Sequence, residues 1–146
     1  MSVFVDTNIL LRIINPADPL HSLSVYAVSA LLGSGETLII TPQIMAEFWN
    51  GATRPLERNG FGLSIEQAQE ELAQIEGFFS IVGETPEVCA QWKLLVLSNR
   101  ISGVQVHDAR LVAAMKVYGM TRILTLNGSD FARFVDIEVV TPQSLA

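Results

Sequence analysis

Four carboxylates stand out by where they fall in the chain. Asp6 follows the short apolar run Ser2 to Val5, Glu47 sits among the apolar positions Ile44, Met45 and Phe48, Asp108 precedes Leu111, Val112 and Met115, and Asp130 comes just before Phe131. A carboxylate taken out of water without a partner is costly, so acids beside buried faces pair with a base, take up a proton or bind a cation. No Lys or Arg lies within one helical turn of Asp6 or Glu47, and Arg12 is the nearest. Four acids at the ends of different elements therefore suggest a hard cation on oxygen ligands, Mg2+ or Mn2+. Such a site activates water and neutralises the charge that develops on a phosphodiester, and it needs no nucleophilic side chain. Two of the acids also have a simpler reading, Asp6 as a helix N-cap and Asp108 as a favourable charge at a helix N-terminus.

The elements that must position these acids can be read from hydrophobic pattern and punctuation. Ser2 to Val5 and Thr37 to Ile40 are short apolar runs of the kind that form buried strands. Thr41-Pro42 and Thr85-Pro86 each pair an N-cap with proline at the first helical position, predicting a helix that carries Glu47 and another over Glu87 to Arg100. Ser64-Ile-Glu-Gln67 matches a capping box opening an amphipathic helix with Ile65, Ala68, Leu72 and Ile75 on one side. His107 to Tyr118 is helical by period and stops at Gly119, with Asp108 at the head of its apolar stripe. Arg122 to Leu126 and Ile137 to Val140 read as the last two strands, and Ser80 to Val82 as a weaker candidate. Strands separated by helices imply crossover connections and a mainly parallel sheet covered on both faces. Ligands in such sheets bind beyond the carboxyl ends of the strands, where Asp6 falls.

The 146 residues are expected to form a single domain, since no repeat, linker or low-complexity tract divides them. The hydrophobic fraction of 49% is high, yet no run approaches a membrane span, so a much-buried sheet or a sizeable partner interface is expected to use the excess. Leu20, Leu23, Tyr26, Leu31 and Leu32 would supply a homodimer surface. The first residues do not read as a signal peptide, and the expectation is a cytoplasmic protein with no membrane partner. Cys89 is the only cysteine, so it forms no internal disulfide, and a buried position is expected for it. His21 and His107 have no cysteine companions at zinc-ligand spacing.

A formal charge of −6 argues against a general nucleic-acid coat protein. The four candidate ligands and the four glutamates of one surface helix (Glu66, Glu70, Glu71 and Glu76) account for eight of the fifteen acids. The seven that remain face nine Lys and Arg, which leaves room for a locally basic substrate path. Arg12, Arg54, Arg58 and Arg110 are the candidates for phosphate contact.

Taken together, Val5-Asp-Thr-Asn-Ile-Leu-Leu11, Met45-Ala-Glu-Phe48, Val106-His-Asp-Ala-Arg-Leu-Val112 and Leu124-Thr-Leu-Asn-Gly-Ser-Asp-Phe131 resemble the four motif segments of PIN domains, in order and across nearly the whole chain. Each motif alone is weak; all four on an α/β pattern are specific. The resemblance implies a three-layer α/β/α sandwich with a mainly parallel central sheet, and Asp6, Glu47 and Asp108 as an acidic triad. A fourth acid comes from the last motif. The polar residue nearer the Thr of that motif is Asn127, which leaves Asp130 as the carboxylate and Asn127 to position water. The implied activity is metal-dependent endoribonuclease action, with Mg2+ or Mn2+ as cofactor and RNA as substrate. Small proteins resembling this one are commonly the toxin half of a toxin–antitoxin pair, acting as homodimers with a cognate antitoxin partner. His107 is a candidate to orient phosphate or water beside Asp108; its ordinary reading is a helix N-terminal histidine bonded to backbone.

Two other families that begin strand-then-Asp fit less well. A haloacid-dehalogenase-type phosphatase needs a second Asp where Asn8 stands, and a phosphate-accepting receiver domain needs paired acids there and a late Lys. A PIN-like module that binds RNA or protein without cleaving is the alternative that keeps the fold.

Overall fold

The computed structural model describes residues 1–146. Its core is a five-stranded parallel sheet in the order β3-β2-β1-β4-β5, formed by β1 (Ser2–Val5), β2 (Thr37–Ile40), β3 (Ser80–Ile81), β4 (Arg122–Leu124) and β5 (Glu138–Val140). β1 lies at the centre, with Phe4 opposite Ile39 on one side and Ile123 on the other. Its Val3, Phe4 and Val5 are fully buried, as are Ile123 and Leu124, which is why these strands read as apolar runs rather than as alternating ones.

Seven helices complete the fold: α1 (Thr7–Ile13), α2 (His21–Gly33), α3 (Pro42–Thr53), α4 (Ile65–Phe78), α5 (Pro86–Ser98), α6 (Val106–Val117) and α7 (Pro142–Leu145). They pack in two groups, α1 to α4 with α7, and α5 with α6, which gives the α/β/α sandwich its two helical layers. The chain moves outward from β1 to β2 and β3, then crosses to β4 on the opposite side of β1. The strand order therefore reverses between β1 and β4, and a crevice at the carboxyl ends of those two strands is where such sheets place ligands.

The local punctuation behaves largely as the sequence predicts. The Thr41 hydroxyl caps α3 by accepting from the Ile44 amide, and Ser64 and Gln67 form a reciprocal capping box on α4. The chain leaves α6 through Gly119 at φ +70°, a left-handed position that suits glycine. Thr85 differs, since α5 begins at Pro86 with no capping bond from the Thr85 side chain. The weak candidate at Ser80 to Val82 is a two-residue edge strand, with the Val82 amide donating to the Ile40 carbonyl just beyond it. No helix is long and apolar enough to cross a membrane.

Candidate active site

The Asp6 end of the site follows from the end of β1. The chain passes directly from Val5 into α1, so Asp6 stands at the middle of the sheet's carboxyl edge and caps that helix. Its Oδ1 accepts the Thr7 amide at 2.8 Å, and its Oδ2 accepts the Thr125 hydroxyl at 2.8 Å and the Asn8 side-chain amide at 3.3 Å. The N-cap and functional readings of Asp6 are thus not exclusive: one oxygen serves the helix while the other is held from the neighbouring strand. Thr125, fully buried just past β4, is fixed in turn by the Asn8 side chain at 3.2 Å and the Asn127 amide at 3.0 Å.

Glu47 is held as firmly. Its Oε1 accepts the Thr7 hydroxyl at 2.6 Å and its Oε2 the Gln43 side-chain amide at 3.1 Å. Gln43 lies one turn earlier on α3 and also donates to the His107 carbonyl at 3.0 Å, tying α3 to the start of α6. The backbone amide of Gln43 donates to Glu84 at 2.9 Å, and Glu84 is also the ion-pair partner of Arg110.

Asp108, in the first turn of α6, and Asp130, in the 3-10 turn Gly128–Phe131, complete the group. Both are half-buried, and no hydrogen bond or ion pair within the chain reaches either carboxylate. Asp108 is pushed up to about 6, first by burial and then by the negative charges of Asp130, Asp6 and Glu47, against a small opposing effect of His107. Burial also holds Asp6 above the usual carboxylate range, with Glu47 and Asp130 adding to the rise and the Thr125 and Thr7 hydrogen bonds opposing it. The four acids predicted from sequence are therefore brought within reach of one another's charge. They face one another without closing: no three His, Cys, Asp or Glu side chains are grouped at metal-ligating distances. In kind, the donor set fits a hard divalent cation, because it offers carboxylate oxygens alone and none of the four is neutralised by a Lys or Arg.

The predicted basic residues divide sharply. Arg12 is ion-paired with Asp18 at 2.9 Å, as Arg110 is with Glu84, Arg54 donates to the Asn59 carbonyl at 3.1 Å, and Arg58 is exposed in the 3-10 turn Leu56–Arg58. Arg110 alone borders the acids, lining with Glu47, Gln43, Glu84 and His107 an open cavity of about 480 Å³. The His107 ring makes no hydrogen bond to backbone and is exposed to this cavity, contrary to its ordinary reading. Asn127 is exposed, with its amide on Thr125.

Cys89 corrects the sequence reading. It is exposed on α5, one of the walls of a cavity of about 340 Å³ with Val88 and Trp92, because α5 packs through Val88 and Leu95 and Cys89 falls at the open margin of that face. Leu31 likewise belongs to the core, leaving Tyr26 as the one exposed member of the set expected at a dimer surface, with Leu20, Leu23 and Leu32 partly buried.

Sequence reasoning overlooked Gln43, Glu84 and Thr125 as the residues that hold the site. Gln43 carried a signal, since a side chain four residues before Glu47 on a helix lies on the same face. Thr125 lies inside the last motif segment, but nothing local says that its hydroxyl reaches Asp6, and Glu84 carried no signal, because the partners of both are distant in sequence.

The PIN domain family matches residues 3–136. The chain belongs to the PIN-domain family. Solved structures agree on the fold of this PIN domain. VapBC2 of Rickettsia felis, bound to a DNA fragment from its promoter, superposes with a TM-score of 0.72 at 18% identity, covering 97% of this chain and 98% of that one. VapBC-1 of nontypeable Haemophilus influenzae gives 0.69 at 16% identity, with 98% and 99% covered. VapC20 of Mycobacterium tuberculosis, a sarcin-ricin loop cleaving toxin, gives 0.66 at 20% identity, with 90% and 95% covered. No curated protein matches the chain by sequence.

Proposed function

We infer that this PIN domain is a divalent-metal-dependent endoribonuclease and the toxin of a toxin–antitoxin pair. The observation that carries the reading is the gathering of Asp6, Glu47, Asp108 and Asp130 at the strand-order reversal with no basic partner among them; burial first, and then the charge of the other three, raises Asp108 to about 6. These four would hold Mg2+ or Mn2+, which when bound supplies an activated water and neutralises charge on the phosphodiester. The chain's own contribution is orientation. Thr7, Thr125 and Asn8 aim Asp6, while Thr7 and Gln43 aim Glu47. Arg110 and His107 stand beside Glu47, where the donors that Arg110 does not use on Glu84 would meet an incoming phosphate.

The toxin assignment draws on the neighbours, whose structures include a toxin–antitoxin complex and a sarcin-ricin loop cleaving toxin. A cognate antitoxin would bind by laying an apolar segment and a basic side chain into the acidic groove. A homodimer is part of the same reading, and light scattering that finds only monomer at micromolar concentration overturns that part. The alternative, a PIN-like module that binds RNA or protein without cleaving, is favoured by one observation: the acids stop short of ligating distances. Labelled RNA incubated with Mn2+ and with EDTA decides between them. Cleavage in Mn2+ alone supports the nuclease, and binding with no cleavage in either buffer supports the module.

A further inference from the structure

Two cavities open side by side on the flank of the acids. The larger holds Glu47 and His107, and the smaller is walled by Val88, Cys89 and Trp92, which share one side of α5. Glu84 and Arg110 line both, so they form the ridge between them. That ridge is fixed, because Glu84 is pinned by the Gln43 amide through one oxygen and holds Arg110 through the other. A guanidinium has five N–H donors and Glu84 engages one of its nitrogens, which leaves donors on a side chain still 47% exposed. Trp92 is also fixed, its indole N–H donating to the Val106 carbonyl at 2.8 Å.

We propose that the paired cavities form the subsite for the RNA nucleotide next to the scissile bond, with its phosphate on Arg110 and its base in the pocket walled by Val88, Cys89 and Trp92. The proposal rests on the ribonuclease reading and adds where the strand lies and which side chains select it. A polyanion approaching four carboxylates needs a cation on its route, and Arg110 borders the cavity that contains Glu47. Single-stranded RNA is held elsewhere by the same division of labour, with basic groups on the backbone and aromatic or apolar walls against unstacked bases. At about 340 Å³ the smaller cavity falls in the range of small-ligand pockets, and its walls are mainly apolar with Thr85 and Glu84 at the edge. One base thus contributes to the choice of cleavage site.

Cys89 provides the test, since it is the only thiol and stands inside the proposed base pocket. The rate of alkylation of Cys89 is measured in the full-length Asp6→Asn protein in EDTA, with a randomised single-stranded RNA 10-mer and with a 10-mer of the same length lacking its bases. RNA is expected to slow alkylation at least fivefold and saturably, whereas the abasic strand leaves the rate unchanged. Arg110→Gln is expected to raise the half-protecting RNA concentration about tenfold, equivalent to about 1.4 kcal/mol. RNA that binds by fluorescence anisotropy without protecting Cys89 overturns the subsite, as does a Cys89 that fails to react in the free protein. Equal protection by the abasic strand overturns the base pocket. Cleavage of RNA by the wild type in Mn2+ is scored separately, so the subsite and the ribonuclease reading fail on different measurements.

Discussion

The two halves of the acid group are built differently. Asp6 and Glu47 have both oxygens occupied by donors from α1, α3 and the end of β4, while Asp108 and Asp130 accept nothing within the chain. The held half is set by the sheet and by buried hydrogen bonds, so its position is fixed before any ligand arrives. The open half stands on the first turn of a helix and on a 3-10 turn, where small backbone shifts are cheap. That division accounts for acids that feel one another's charge without closing to ligating distances. One side is held by hydrogen bonds within the chain, and the other is not.

The largest effect should come from the held half itself. Asp6→Asn keeps shape but removes a carboxylate charge, and it is expected to lower Mn2+-dependent RNA cleavage by orders of magnitude with the circular dichroism spectrum retained. Full cleavage by that protein, free of contaminating nuclease, sinks the role of Asp6. Removing support rather than ligand should cost less. Thr125→Val leaves Asp6 Oδ2 with Asn8 alone, and loss of such an orienting partner is expected to reduce metal affinity or activity about 10- to 100-fold. A metal titration of cleavage rate checks this, and an unchanged midpoint and maximum would show that Asp6 needs no such holding.

The open half predicts an opposite sign in stability. Asp108→Asn relieves repulsion, so in EDTA it should melt at or above the wild-type temperature, whereas Leu111→Ala, in the core behind it, should cost about 2 to 5 kcal/mol. With Mn2+ at a hundred times its Kd the wild type gains about 2.7 kcal/mol, and Asp108→Asn should lose most of that increment. If the substitution lowers both melts equally, Asp108 is only a helix-end charge. The smallest effect is on pH dependence. Asp108 is raised from 3.8 to about 6, so the folded protein binds more protons than the unfolded one between those values, and stability falls as pH rises through that window. In EDTA the wild-type melting temperature should therefore decline from pH 4 to pH 6 more steeply than that of Asp108→Asn. Parallel curves would remove Asp108 from the account of the slope.

The sequence showed the parts that are local and hid the parts that are not. Asp6 after an apolar run, Glu47 beside buried helix positions and Asp108 ahead of an apolar stripe were legible because strand ends and helical period place a residue without tertiary knowledge. The capping box at Ser64 was legible for the same reason. Thr125 was not, since its partner Asp6 is 119 residues away, and Glu84 does its work across a helix start and an arginine on α6. Arg12 looked free for substrate because Asp18 reaches it only after the Pro16 to Pro19 turn. Cys89 was misplaced by a residue-type expectation: half-exposed helices leave places for small apolar groups on either face, and composition does not say which.

The central place of β1 also bears on when the acid group can assemble during synthesis. The strand that leads into Asp6 is made well before one of its two neighbours, since β4 begins at Arg122. Pairing at such separation is entropically late. A nascent chain that has emerged only as far as α5 has Asp6 and Glu47 but lacks Asp108, Asp130 and the Thr125 hydroxyl. Chains that stop short of Asp108 therefore lack half of the acid group, because its members are spread along the sequence from Asp6 to Asp130.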